Sequence, residues 1–220
     1  MTTGIQPRLP NLSQRLTLVG RTGSGKTIAG LFHISRQPLH RFPWVIVDFK
    51  GDEHIAKIQS AKEVGFDFKP KHPGLYVLRP TIRDKARVDA FIWNIWASGN
   101  CGLYIDEGYM IEGEGVEACL TQGRSIRVPM IICSQRPAWI TLFAFSEADF
   151  IQIFDLTLED DKKRVSGFTP LDLDERPLKQ FYSWYYYVAQ KKVFMFSPVP
   201  PEDQILAEIE NKIQKRRKLI

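Results

Sequence analysis

At 220 residues with 44% hydrophobic content, the chain is long enough to bury one substantial core, with room for a small appendage. No apolar run approaches the roughly 20 residues that span a bilayer, and the start "MTTGIQPRLP" lacks the apolar centre of a secretory signal, so a soluble, intracellular protein is expected. The net charge of +5 permits a nucleic-acid partner without requiring one, and three cysteines (Cys101, Cys119, Cys133) and four histidines (His33, His40, His54, His72) show neither a disulfide framework nor a zinc pattern.

The first predicted strand, in "RLTLVG", runs into "RTGSGKT" and then into "KTIAGLFHIS", where Ile28, Leu31, Phe32 and Ile34 recur near helical spacing. Strand, glycine-rich loop and helix is the context that G-x-x-x-x-G-K-[ST] requires as a phosphate-binding loop. The expected nucleotide contacts are Gly20, Arg21, Thr22, Gly23, Ser24, Gly25, Lys26, Thr27 and Ile28. In this loop type the amides turn inward, Lys26 reaches the β- and γ-phosphates, and Thr27 binds Mg²⁺. A helix starting near Lys26 adds unpaired amides and the positive end of its dipole. The competing reading, a flexible glycine turn with a chance lysine, fits the full motif in its context poorly.

Next comes "WVIVDFKGDE", a strand ending at Asp48 and Lys50. It contains D-x-x-G, as GTPases do, but no N-K-x-D follows, so ATP is favoured over GTP. Strands are also expected in "LYVLR", "GLYIDE", "MIICSQ" and "FIQIFDL", with helices in "DKARVDAFIWNIWAS" and "GVEACLTQGRSI". This alternation predicts an α/β fold with a parallel sheet covered on both faces, its ligands gathered at the carboxyl ends of the strands. At those ends "GLYIDE" delivers Asp106, suited to hold Mg²⁺, and Glu107, suited to polarise an attacking water. "IICSQRP" delivers Gln135, which can hydrogen-bond the terminal phosphate or the lytic water, or merely cap a loop.

Beyond Leu156 the pattern changes. "TLEDDKKRVSGF" and "TPLDLDERPLKQF" read as short helices, and "YSWYYYVAQKKVFMFSPV" as two strands joined near Gln190 and Lys191, a hairpin closing one sheet edge. Its aromatic residues can stack bases or fill both faces of a packed strand. The tail "EDQILAEIENKIQKRRKLI" places Ile205, Ile209 and Ile213 at four-residue steps on a polar helix ending in basic residues, expected to dock loosely or serve a partner. Its basic end can grip DNA phosphates or be a solvated helix end. The expected organisation is an ATPase domain over residues 1–200, hairpin included, and a basic C-terminal helix over 201–220.

In order and spacing, "GRTGSGKT", "VDFKG", "GLYIDE", "GRSIR" and "CSQRP" resemble the FtsK/HerA superfamily of DNA-translocating ATPases. The compact size and "SQRPAW" resemble most the genome-packaging ATPases of tailless double-jelly-roll viruses with internal membranes, the tectivirus-like group. The resemblance spans residues 14 to 155. It implies a three-layer P-loop fold of the RecA/FtsK kind and a motor that uses ATP and Mg²⁺ to translocate double-stranded DNA without sequence specificity. It further implies a homo-oligomeric ring, expected to be hexameric, working with viral capsid or portal-vertex proteins in the host cytoplasm and at the packaging vertex of the virion. Lys26, Thr27, Asp106, Glu107 and Gln135 match the family positions for phosphate, magnesium, water activation and sensing. Arg124 and Arg127 lie where members carry an arginine that reaches the neighbouring subunit's nucleotide, and the sequence leaves open which of them does so. Two other functions stay in competition: a P-loop kinase acting on a nucleotide or small molecule, and a nucleotide-dependent assembly protein with incidental turnover.

Overall fold

The computed structural model describes residues 8–111, 113–174 and 179–217, with side chains described as far as residue 215. The chain opens with β1 (Arg15–Val19), α1 (Lys26–Ser35), β2 (Pro43–Asp48), α2 (Glu53–Ala56), β3 (Lys62–Glu63) and β4 (Gly74–Leu78). The middle section holds α3 (Lys85–Ser98), β5 (Gly102–Asp106), α4 (Glu114–Gln122), β6 (Met130–Ser134), α5 (Phe143–Ser146) and β7 (Phe150–Ile153). It ends with α6 (Glu159–Ser166), β8 (Ser183–Tyr187), β9 (Lys192–Phe196) and α7 (Glu202–Arg217). All six strands expected at the carboxyl-end motifs form. The two-residue β3 carried no signal, being too short to show a period.

The strands make one sheet in the order β3-β4-β2-β5-β6-β1-β7-β8-β9. Every pair from β3 to β7 is parallel, and the hairpin β8–β9 adds on antiparallel at one edge. The parallel strands β1, β2, β4, β5, β6 and β7 are buried at every residue, which is why they read as continuous apolar runs and not as alternation. Alternate side chains enter two cores. Val45, Val47, Leu103 and Ile105 pack with Phe91 and Ile95 of α3 and Leu120 of α4, while Trp44, Ile46, Leu16 and Leu18 pack with Leu31 and Ile34 of α1. This is a three-layer α/β architecture.

In the hairpin, Lys191 takes the left-handed conformation (φ 52°) that turns the chain. Tyr185 is fully buried and stacks on Phe150, and Tyr187 stacks on the same ring from 4.7 Å, so this part of the aromatic run is core. The tail also differs from its expectation of loose docking. Ile205, Ile209 and Ile213 are buried against α1, Arg36 pairs with Glu208 at 3.2 Å, and the Lys212 ammonium donates to the Ser35 carbonyl at the end of α1. The stripe is narrow but meets an apolar helix face, which is enough to seat it. The basic tip at 216–220 lies outside the residues with described side chains. No helix forms over Thr169–Asp174 where one was expected, and residues 175–178 of that stretch lie outside the described residues. The three cysteines are free and buried, and no helix among the described residues is long and apolar enough to cross a membrane.

One buried polar chain links the layers. His33 Nε2 of α1 meets Gln152 Oε1 of β7 at 2.8 Å, and the Gln152 amide donates to Ser183 Oγ of β8 at 2.9 Å. Burial pushes the His33 imidazole down to about 4, against the Gln152 hydrogen bond and with the charge of Arg36. The unfolded chain takes up this proton near pH 6.5 while the folded chain refuses it until about 4, so stability falls as pH drops through that window. Between pH 7 and 5 this one group should remove about 2 kcal/mol of stability. Urea unfolding at the two pH values checks it, and His33→Gln should flatten the difference.

Candidate nucleotide site

The loop after β1 is splayed at the sheet's carboxyl edge. The Gly20 amide donates to the Ser134 carbonyl of β6 at 3.3 Å, and the Arg21 amide donates to the Asp155 carbonyl beyond β7 at 2.8 Å. The Arg21 guanidinium closes on the Asp155 carboxylate at 2.7 Å. Gly25 caps α1 at φ 93°, a left-handed angle that a side chain would strain, and it supplies no side-chain cap. The first amides of α1 are thus free to take an anion. Ser24 Oγ in the same loop is buried with no hydrogen-bond partner among the described residues. A loop that buries an unpaired hydroxyl beside unpaired amides is shaped for an acceptor-rich ligand.

Lys26 is buried, and its ammonium donates to the Arg21 carbonyl at 2.9 Å, inside the loop. Burial lowers its proton affinity, while Glu107 and Asp106 partly restore it. Facing it across the edge of β6 stand the two acids of β5. β6 lies between β1 and β5, so the phosphate loop and the acid pair sit two strand spacings apart, about 10 Å. Gly30 lets α1 approach β5, because a Cβ there would fall 2.5 Å from the Tyr104 ring.

Asp106 is buried, and burial, reinforced by the charge of Glu107, pushes its carboxyl up to about 7. Its Oδ1 accepts from the Tyr104 hydroxyl at 3.3 Å. Glu107 is held at φ 58°, ψ 61°, a left-handed backbone that costs a non-glycine residue energy and is typical of sites where a side chain is aimed for use. Glu107 Oε1 accepts from the Lys50 ammonium, and Oε2 is buried without a partner among the described residues. Burial pulls the Lys50 ammonium down, and the hydrogen bond and charge of Glu107 more than offset that pull. Lys50, noted in the sequence only beside Asp48, is thus part of the site. Its signal was its place at the end of a neighbouring strand: Asp48 and Asp106 are in register.

From β6, Gln135 reaches the loop. Its Oε1 accepts from the Thr22 hydroxyl and its amide donates to the Tyr109 hydroxyl at 3.0 Å. Behind the loop, a recess of about 220 Å³ is lined by Gly25, Ile28, Phe154, Phe181, Pro198 and the pair His54–Glu202, which meet at 2.8 Å. Phe181 and the prolines come from the C-terminal third, where no motif pointed to them.

Oxygen donors dominate the site. Thr27 offers a hydroxyl at the head of α1, and Asp106 and Glu107 offer carboxylates, while no group of three or more His, Cys, Asp or Glu side chains among the described residues makes a metal cage. Such a sparse, hard donor set fits Mg²⁺, which binds through one or two carboxylates together with substrate phosphates and water.

Arg124 and Arg127 are elsewhere. They precede β6, whose first residues pair with Arg15 and Leu16 at the start of β1, so they occupy the amino edge of the sheet, a strand's length from the loop. Arg124 pairs with Asp149 at 2.7 Å and remains largely exposed; the Arg127 guanidinium lies over the Phe42 ring at 5.6 Å, its backbone at φ 57°. Neither serves the nucleotide site of its own chain.

The chain is 43% identical over 223 residues to DNA packaging ATPase P9 of Enterobacteria phage PRD1, covering 96% of this chain and 97% of that protein. No family model matches it. Among solved structures, the genome packaging NTPase B204 of Sulfolobus turreted icosahedral virus 2 in complex with ATP-gammaS superimposes with a TM-score of 0.68 at 18% identity, over 87% of this chain and all of that one. The conjugation coupling protein TcpA of pCW3 with ATPgS matches with a TM-score of 0.66 at 15% identity, over 93% of this chain and 65% of that one. At these identities the structural likenesses establish the shared P-loop fold.

Proposed function

The chain belongs to the DNA packaging ATPase family, and from that footing we propose that it is the subunit of an ATP-driven motor that moves double-stranded DNA into a viral capsid. The observation that carries the reading is the sheet order β5-β6-β1, which brings Glu107 at the end of β5 and Gln135 after β6 to the same sheet edge as the loop that carries Lys26. Lys26 and the amides of the loop and α1 take the β- and γ-phosphates. Gln135 hydrogen-bonds the terminal phosphate, and Glu107 accepts a proton from the attacking water. Thr27 and Asp106 would hold Mg²⁺, which when bound neutralises charge developing on the phosphoryl oxygens. The recess beside Gly25 is apolar enough for a purine base, with His54 and Glu202 at its wall to meet polar edges.

A kinase needs a docked acceptor and exclusion of water, whereas the buried, unpaired Glu107 Oε2 favours a water as the acceptor. Steady-state turnover should release inorganic phosphate, rise several-fold with duplex DNA, and accompany a mass in solution that is a multiple of the subunit. Turnover indifferent to duplex DNA would return the chain to the assembly-protein reading. DNA contact without sequence preference would come from cations directed at phosphate, and the subunits are proposed to work as a ring.

The arginines at the amino edge suit a role in trans. An arginine supplied to a phosphoryl-transfer site contributes roughly 10³ to 10⁵ in rate. Mixing Glu107→Gln subunits with Arg124→Ala/Arg127→Ala subunits should regenerate part of the activity that neither has alone, because one brings the arginines and the other the glutamate. If subunits exchange and the mixture stays inactive, neither arginine acts on a neighbour.

A further inference from the structure

We propose that Tyr109 is a positioning residue for the nucleotide site: its hydroxyl holds the Gln135 amide against the phosphate loop and couples that amide to the exposed indole of Trp139. The proposal rests on the reading above in one respect, that Gln135 faces the terminal phosphate.

A carboxamide has one acceptor oxygen and two N–H donors. The oxygen of Gln135 is taken by Thr22 of the loop and one N–H by Tyr109 at 3.0 Å. The second N–H has no partner among the described residues, and the side chain lines a recess of about 350 Å³ together with Arg21 and Thr22. The amide is therefore tethered at both ends and keeps one donor to give a ligand at the loop.

Tyr109 is well placed to be the outer tether. It lies in the turn that follows Glu107, closed by the Met110 amide on the Glu107 carbonyl at 2.8 Å and the Ile111 amide on the Gly108 carbonyl at 3.3 Å. A Cβ on Gly108 would come within 2.5 Å of Ile132, so the turn sits close against β6, the strand that delivers Gln135. The same short turn thus fixes the carboxylate proposed to activate water and the hydroxyl that holds the amide.

On its other side the Tyr109 ring meets Trp139 edge to face, with centroids 6.0 Å apart and planes at 66°. Trp139 is 61% exposed. The Arg136 guanidinium lies over it at 3.8 Å, and Arg136 is anchored on Asp161 at 3.1 Å. Asp161 is buried and also accepts from the Ala138 amide at 2.9 Å. Gln135, Arg136 and Trp139 are consequently one tethered unit. When a phosphate oxygen engages the free amide N–H or draws the Thr22 hydroxyl away from Gln135 Oε1, the amide shifts, and Tyr109 carries that shift to the indole.

Tyr109→Phe keeps the ring and its packing and removes only the tether. Binding of a non-hydrolysable ATP analogue, read by calorimetry, should stay within about twofold of the parent, while kcat falls about tenfold with KM little changed, as expected when a reacting group loses its orientation. The fluorescence response of Trp139, defined as the part of the nucleotide-induced change that Trp139→Phe abolishes, should differ between the ATP analogue and ADP in the parent, and Tyr109→Phe should erase that difference. A parental kcat, or a parental difference between the two nucleotides at the indole, overturns the proposal. Failure of the parent itself to bind the analogue overturns the reading of the nucleotide site instead, and the role of Tyr109 with it.

Discussion

Glu107→Gln should bind Mg²⁺ and ATP about as well as the parent and lose hydrolysis by about 10² to 10⁴, the range that a positioned general base contributes. The amide keeps the length and shape of the side chain, and its oxygen can still accept from Lys50, which now holds Glu107 Oε1. What disappears is basicity at Oε2, the oxygen that is buried and unpaired. A left-handed backbone at this residue aims the carboxylate from the end of β5. Phosphate release under saturating ATP, together with calorimetric binding, separates loss of chemistry from loss of affinity. Turnover at the parental rate in this variant would move water activation to another group.

Lys26→Ala should weaken ATP binding by about 10 to 100-fold, the equivalent of one charge-assisted hydrogen bond at about 1.5–3 kcal/mol, and should remove turnover with it. Folding should survive. Among the described residues the desolvated ammonium hydrogen-bonds only to the Arg21 carbonyl, so truncating it leaves one carbonyl of an open loop without that partner and relieves a buried charge. Thermal unfolding without nucleotide should therefore be close to the parent's, whereas the shift that ATP produces in the parent should be lost, since a ligand that binds only the folded state stabilises in proportion to its occupancy. Parental ATP affinity would contradict the assignment of the loop.

How much of this was legible beforehand differs by element. The phosphate loop was fully readable because its function is encoded in backbone angles that only glycine reaches cheaply and in the lysine and threonine next to them, all within eight consecutive residues. The acids of "GLYIDE" and the glutamine of "SQRP" were readable as strand ends. Lys50 carries no role in its own segment, because nothing there says that β2 lies beside β5. Phe181 and Pro198 were missed as neighbours of the loop, because residues some 150 positions apart share no local pattern. The isoleucines of the tail were read correctly as a stripe and incorrectly as loosely held, since a stripe's width says nothing about the face it meets.

The α/β class, the strand-loop-helix unit that binds phosphate, and the kinds of donor available to a metal and a water are all written in local segments. These are local properties, set by side-chain period, backbone sterics and the chemistry of adjacent residues. Which strands are neighbours comes from long-range packing. Inserting β6 between β1 and β5 sets the acids of β5 two strands from the loop that carries Lys26, brings Thr22, Gln135 and Tyr109 into one chain of hydrogen bonds, and puts Arg124 and Arg127 at the far edge from their own nucleotide site. Strand order is a matter of which apolar faces bury best against which helices, a sum over the whole core that no single segment contains.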